Sequence, residues 1–438
     1  MTSDFVQAES SWQVSLLYAG TAGGAARWAA GTFATVTAAP GSRQAPEDVG
    51  SLRAGVTARL DHLLPRRGAT SSAAVLGAGS DDFESGRRYL AQLAGDGFAV
   101  PTWPVAHGGM GLSQARADVV SAALKEFEVP DMYPFLVGLA LIGPTILVHA
   151  DPAQQARWLP RIRSGDDIWC QMFSEPDAGS DLANLKTRAD RHGDEWRASG
   201  SKVWTSRAHY SQWALLLARS DSSLPKHRGI TAFGLDMSSP GITVRPLVQM
   251  NGDSHFNEVF LDEVAIPDGD RIGGVGEGWR VAITCLSFER TSLAGDLGVS
   301  LDQLRRLGRM LPPGRAVGRD QLAARVGDLK IRHWTAERAR IALQAGRPPG
   351  PEGSGAKLRT TAMLKHLANQ ALTAAGAAAT VGMDQPDEWQ SLFGVSPSLS
   401  IRGGTDEIQR NILGERSLGL PPEPRVDKDG PFSARPDR

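Results

Sequence analysis

CQMFSEPDAGSDLANLKTRADRHGDEWRASGSKVWTSRAHY, residues 170–210, is the stretch whose reading decides the fold. From Phe173 to Asp181 it crowds Pro, Gly, Ser and Asp together where neither helix nor strand can continue, so a loop is expected. Pro176 fixes one backbone angle, and Gly179 lets the main chain approach something flat or anionic. Ser174 and Ser180 offer hydroxyls to a ring heteroatom or a phosphate oxygen. A strand-like run over 196–206 follows and ends in Val203-Trp204-Thr205-Ser206, an indole and two hydroxyls suited to the edge of a planar heterocycle. The plainer alternative is a polar turn before an ordinary strand, and short Gly/Ser/Pro motifs alone do not decide between the two.

Outward from this stretch, further strands are expected over 168–174, 213–219, 229–237, 243–248, 258–260 and 264–266, separated by turns such as Ser238-Ser239-Pro240-Gly241. Short strands with regular turns imply a small barrel or sandwich over residues 167–275. On either side the period changes. Leu52, Val56, Leu60 and Leu63 recur at helical spacing, and a second helix over 81–97 is expected behind an N-cap at Ser80. Ser113 is expected to cap another helix, and Asp151-Pro152 to open a further one. After residue 276 helices return, over 278–298, 320–346, 357–381 and 406–416; the small residues from Ala374 to Thr380 are expected to pack closely against a neighbour. The fold class is therefore α+β multidomain: an N-terminal helical domain (49–166), the middle β-barrel or sandwich domain (167–275) and a C-terminal helical bundle (276–420). Residues 1–48, rich in Ala, Gly, Ser and Thr, read as a disordered extension, and residues 421–438 as a loose tail.

A chain of 438 residues accommodates two or three such domains. Its net charge of −1 implies neither nucleic acid nor an anionic membrane as partner. Two cysteines, Cys170 and Cys285, give no disulfide framework and are expected as buried thiols, and the nine histidines show no metal-ligand spacing. The apolar run 135–142 is far short of the ~20 residues a membrane span needs. The N-terminus has no basic region ahead of an apolar one. A cytoplasmic protein without a membrane span is expected.

Three motifs, SEPDAGSD (174–181), KVWTS (202–206) and IRGGTDEIQRNILGER (401–416), stand in this order along a chain that resembles the flavoprotein acyl-CoA dehydrogenase family from about Leu52 to about Leu420. The turn HGGMGLS (107–113) also resembles one in that family. The resemblance implies α,β-dehydrogenation of an acyl-CoA, or other acyl thioester, with FAD as oxidant. It implies electrons leaving to an electron-transfer flavoprotein, and a homo-oligomer or a hetero-oligomer with a related subunit. Residue by residue, it assigns Phe173 and Ser174 to the ring, Gly179 and Ser180 to the phosphates, Trp204 and Ser206 to the isoalloxazine, and Thr405 and Glu407 to the adenine half. Asp406 is an alternative N-cap for the last helix.

The base needs its own argument. One branch of the family carries its catalytic Glu just before the Gly-Thr of the C-terminal motif, where this chain has Gly403. Another branch carries it on an earlier helix before an Arg, and Phe288-Glu289-Arg290-Thr291 matches that pattern. Glu289 is thus the expected proton acceptor, in apolar surroundings that favour its protonated form. Arg290 matches the residue beside the CoA end of the pocket, and Gly403 N–H matches a donor to the thioester oxygen. The structural alternative is a surface Glu paired with Arg290 or Arg305. Two departures from the family stand out: its Arg-x-x-Phe-Gly is replaced by the region from Leu307 to Pro313, and Thr373 and Gly376-Ala377 replace a Gln and a Gly pair. Two other functions are compatible with this pattern. One is a flavin monooxygenase or N-hydroxylase on the same fold; the other is a non-catalytic subunit of a heteromeric acyl-CoA dehydrogenase.

Overall fold

The computed structural model describes residues 49–68, 82–294, 301–311, 316–344, 351–381, 387–424 and 429–434. The expected extension 1–48 and the expected cap Ser80 lie outside them. Six helices lead: α1 (Val49–Leu63), α2 (Phe83–Ala94), α3 (Gln114–Leu124), α4 (Tyr133–Leu136), α5 (Gly143–His149) and α6 (Pro152–Ser164). The apolar residues of α1 fall on one face and are buried with Tyr89, Leu93, Val120 and Phe127. The side chain of Asp82 caps α2 by accepting from Ser85 N–H. Ser113 occupies the N-cap position of α3, but its hydroxyl makes no capping bond. At α6 a full capping box, Asp151 with Gln154, satisfies two orphan donors reciprocally.

Residues 133–149 form one continuous wall rather than stopping at Gly143-Pro144. Between α4 and α5, Val137–Ile142 widens to π-type hydrogen bonding, with Gly143 N–H reaching back to the Gly138 carbonyl. Pro144 supplies the reason. It has no N–H to give, and its ring crowds the carbonyl four residues back, so the ladder shifts register instead of breaking. Gly143 also lies against Trp103: an added Cβ would sit 2.1 Å from that indole. Gly143→Ala is expected to destabilise the protein by about 1–3 kcal/mol, read as a lower denaturation midpoint at unchanged m-value.

The middle region is one mixed sheet of β1 (Trp169–Met172), β2 (Arg188–His192), β3 (Glu195–Ser206), β4 (Trp213–Arg219), β5 (Ile230–Asp236), β6 (Ile242–Leu247), β7 (Phe256–Pro267) and β8 (Arg271–Ile272). The order is β6-β7-β3-β2-β4-β5-β8, with β1 pairing parallel to β4. The two stretches 258–260 and 264–266 are a single strand, β7. Residues from β1 through β7 pool on one face: Met172, Trp196, Leu216, Phe233, Val259 and Val264 share a core, so the sheet curls over itself. Its other face is covered by helices, where Trp158 of α6 packs against Trp169 and Trp213 with ring centroids 5.4 and 5.7 Å away. Both cysteines are free and buried.

The closing helices are α7 (Gly278–Ala294), α8 (Leu301–Met310), α9 (Ala316–Gln344), α10 (Glu352–Ala375), α11 (Glu388–Val395) and α12 (Asp406–Ser417). Their shared core joins Leu304 and Leu307 to Leu364, Leu367, Ala368, Trp389 and Leu392. The small residues after Ala374 do not form the close packing face expected of them. Gly376, at φ +60°, ends α10, and residues 376–380 make an exposed 3-10 turn. The tail is not wholly loose either. Phe432 N–H donates to the Leu224 carbonyl and Ser433 N–H to that of Ser222, while Arg219 lies 3.9 Å over the Phe432 ring. The reason is cation–π contact with an arginine already held by the sheet. Phe432→Ala is expected to cost about 1–2 kcal/mol and to increase proteolysis of the tail without altering the core.

Candidate active site at the junction of sheet, helix wall and glycine loop

The loop from Phe173 to Asp181 is held by an acid that the sequence reading passed over. Glu175 turns inward and accepts from Lys186 N–H at 2.6 Å, Thr187 N–H at 2.9 Å and Lys202 Nζ at 2.8 Å. Lys202 is fully buried and also donates to the Phe173 carbonyl. Burial pushes the Glu175 carboxyl up, but the Lys202 charge and the donated hydrogen bonds outweigh it and hold it below the usual range. A signal was present: Lys202 falls on the inward phase of β3 with Trp196 and Ala198.

This clamp fixes the rim above it. The Ser174 carbonyl accepts from Val203 N–H at 2.9 Å, which sets Ser174 beside the end of β3. There the pairing with β7 shifts register between Lys202 and Thr205. Trp204 sits in that bulge at φ +59°, a strained angle for a bulky residue, with its indole 59% exposed and edge-on to Phe256 at 6.0 Å. Phe173 is buried beneath the rim, and Ser206 is half-buried opposite Phe256. Gly179 and Ser180 are exposed, with open space where a Gly179 Cβ would stand. The buried Thr205 hydroxyl has no hydrogen-bond partner among the described residues.

Glu289 is on α7, which runs antiparallel to the 133–149 wall. His149 Nε2 meets the Thr284 hydroxyl at 2.8 Å, and Thr145 touches Cys285. Glu289 follows one turn later on the same face and is half-buried. Burial and then the nearby Glu289 charge push the Cys285 thiol up to about 12. The side chain of Arg290 lies outside the described residues.

The C-terminal motif forms a tight loop, with Gly403 at φ +66° and Gly404 at φ +85°. Gln409 Nε2 donates to the Gly403 carbonyl at 3.0 Å. Thr405, not Asp406, caps α12 by accepting from Ile408 N–H, while Asp406 pairs with Lys357 Nζ at 2.7 Å. The lysine draws the Asp406 carboxylate to α10, leaving the cap to the hydroxyl one residue earlier. Glu407 is exposed and pairs with Arg410 at 3.4 Å.

Two of these segments meet at Tyr133, a junction absent from the sequence reading. Arg207, next after Ser206, is buried with its guanidinium 4.3 Å over the Tyr133 ring. It also hydrogen-bonds the Tyr210 hydroxyl. Arg402, next before Gly403, approaches Tyr133 closely enough to feel its charge. Tyr133 itself opens the wall that runs down to Thr145 and α7. The described contacts thus tie the strand end bearing Trp204 to the head of the wall on which the Glu289 helix packs, and Arg402, beside the Gly403 loop, feels the same tyrosine electrostatically. Among the described residues no group of three or more metal-ligating side chains occurs, and no helix is long and apolar enough to cross a membrane.

Family descriptions for the acyl-CoA dehydrogenase N-terminal, middle and C-terminal domains match residues 75–166, 170–264 and 276–418. Acyl-CoA dehydrogenase IpdE1 of Mycobacterium tuberculosis is 37% identical over 390 residues, covering 86% of this chain and 99% of that protein. Acyl-CoA dehydrogenase FadE34 of the same organism is 38% identical over 345 residues, which cover 75% of this chain and 45% of that protein. Among solved structures, the Tcur3481-Tcur3483 steroid ACAD superposes with a TM-score of 0.70 at 26% identity, covering 87% of this chain and 99% of that one. The ChsE4-ChsE5 complex from Mycobacterium tuberculosis does so with a TM-score of 0.66 at 25% identity, covering 87% and 99%. With three domain matches in order and a relative covered almost end to end, the chain belongs to the acyl-CoA dehydrogenase family and is an oxidoreductase.

Proposed function

We propose that the chain catalyses α,β-dehydrogenation of an acyl-CoA thioester with FAD as oxidant and Glu289 as base. The observation that carries this reading is that the strand end bearing Trp204 packs, through Arg207, on Tyr133 at the head of the wall whose far end, Thr145 to His149, meets the helix bearing Glu289. FAD fits the rim: a mostly exposed indole on a strained bulge meets Phe256 edge-on, Ser174 stands beside the same strand end, and Gly179 and Ser180 are exposed farther along that loop. Thr405 and Glu407 are the proposed adenine-side positions. When bound, FAD supplies the two-electron acceptor for the hydrogen leaving the β-carbon as hydride.

The protein's own residues do the rest. The Glu289 carboxylate takes the α-proton, which is weakly acidic until the thioester oxygen is hydrogen-bonded. Gly403 N–H is the proposed donor to that oxygen, and a preorganised donor of this kind contributes ~3 kcal/mol. Leu139, Ala140, Leu141 and Ile142 on the wall keep water from the carboxylate. Arg290 is proposed at the CoA end. Anaerobic addition of acyl-CoA thioesters tests the activity: loss of the visible flavin band supports it. Product formed only from reduced flavin and oxygen would support a monooxygenase instead, and a colourless purified chain a non-catalytic subunit. Trp204→Ala, on an exposed side chain, is expected to leave folding intact and weaken FAD binding roughly tenfold, about 1.5 kcal/mol, read by fluorescence titration.

Assembly through the C-terminal bundle is part of the same proposal. Ile331, Trp334 and Ile341 stand 40%, 59% and 49% exposed along α9, an apolar stripe of the kind that marks a subunit contact. An electron-transfer flavoprotein is the proposed electron acceptor.

A further inference from the structure

Asn257 is a polar residue at a core position. Side chains alternate along β7, and Asn257 shares the buried phase with Val259 and Leu261. Leaving a buried amide without its hydrogen bonds is costly, and a leucine would fill the same place without that condition. Asn257 makes its bonds around one turn of the chain. Its Nδ2 donates to the Thr205 carbonyl at 3.0 Å and to the His255 carbonyl at 3.3 Å. Only the amide nitrogen can donate to two carbonyls, so Oδ1 faces His209 and accepts from its Nδ1–H at 3.1 Å.

The turn that Asn257 grips is strained. Among the described residues, Trp204 and Arg207 both stand at φ +59°, an angle that bulky side chains rarely adopt. Such angles persist only where the surroundings enforce them, and they cluster at functional sites. The β3–β7 ladder does not enforce this one alone. From Lys202 to Thr205 β3 advances by three residues while β7 advances by two, from Val259 to Asn257, so the bulge leaves one residue unpaired. On one side of the bulge, Val203 N–H leaves the ladder for the Ser174 carbonyl. On the other side, the Asn257 amide holds the peptide between Thr205 and Ser206. The His255 carbonyl that it also holds accepts from Arg207 N–H at 2.6 Å, which brings in the second strained residue. Trp204 and Ser206, either side of Thr205, are the two residues proposed to lie along the flavin ring.

We propose that Asn257 is a positioning residue of the flavin site, its amide holding the Trp204–Arg207 turn in the strained form that presents the indole to the ring. This rests on the flavin reading above and adds to it a residue that acts through Trp204. His209, exposed on the turn that follows Arg207, is the outer anchor of the same amide.

A double-mutant cycle on the full chain, read as the Kd for FAD by fluorescence titration, tests this. Asn257→Leu keeps the volume and removes the three hydrogen bonds. It is expected to weaken FAD binding about tenfold in the wild-type background and less than ~3-fold in Trp204→Ala, because the two substitutions remove the same contact. His209→Ala, on an exposed side chain, is expected to cost ~3-fold in the wild-type background with no further loss in Trp204→Ala. It carries the comparison if Asn257→Leu does not fold. Equal losses in the two backgrounds, or wild-type affinity in the variant compared, would make Asn257 an ordinary core residue and overturn the proposal while leaving the flavin reading in place. A wild-type chain that binds no FAD would contradict both.

Discussion

Glu289→Gln is expected to retain FAD and to lose about 10²–10⁴-fold in the rate of flavin reduction by substrate, the range a positioned general base contributes. The amide has nearly the shape of the carboxylate but cannot accept the α-proton. Gln is close to Glu in size, so the exchange adds no bulk one turn beyond Cys285. The loss should therefore fall on kcat, with KM and melting temperature little changed. Rapid mixing under anaerobic conditions measures it. A variant reducing flavin at the wild-type rate would move the base elsewhere, and Gly403 already excludes the other position the family uses.

Lys202→Met is expected to cost about 3–5 kcal/mol of stability, the usual penalty for removing one member of a buried pair. Glu175 would remain enclosed with two backbone donors and no counter-ion. Because Glu175 clamps the loop that sets Ser174 and Gly179, flavin affinity should fall along with stability. Denaturant unfolding and flavin absorbance check the two effects. The pH dependence has a definite sign. The Glu175 carboxyl is held below its unfolded value, so its contribution is present above the ordinary carboxylate range and is lost as pH falls through the lower folded value. Wild type should lose this increment on acidification, and Lys202→Met should lose less.

The strands legible in the sequence were those with apolar alternation between Gly/Pro turns. β4 and β5 are buried nearly end to end, and β3 carries its inward phase through Trp196 and Ala198. β2, Arg-Ala-Asp-Arg-His, buries only Ala189, so nothing in its composition separates it from a loop; its pairing with β3 makes it a strand. α8 did carry a signal in Leu304 and Leu307, one helical turn apart, obscured by Gly308 and the prolines beyond. Gly143-Pro144 reads locally as a stop, yet packing on α7 and Trp103 carries the helix through it by a change of hydrogen-bond register.

In the candidate site, the loop chemistry and the Glu-Arg pattern were legible because each is contiguous in sequence. Tyr133, Arg207 and Arg402 were not, since they are 74 and 195 positions apart in succession and meet only through the fold. Nor did Thr405 and Asp406 reveal which would cap α12, because Lys357, nearly fifty residues earlier, decides it.

Flavin reduction by a thioester deuterated at the α-carbon, and separately at the β-carbon, tests most directly whether a carboxylate and a flavin work on opposite ends of one bond here. A slower reduction with deuterium at each position is the expected result. Reduction that is insensitive to deuterium at both carbons, or no reduction by any acyl thioester, would contradict it.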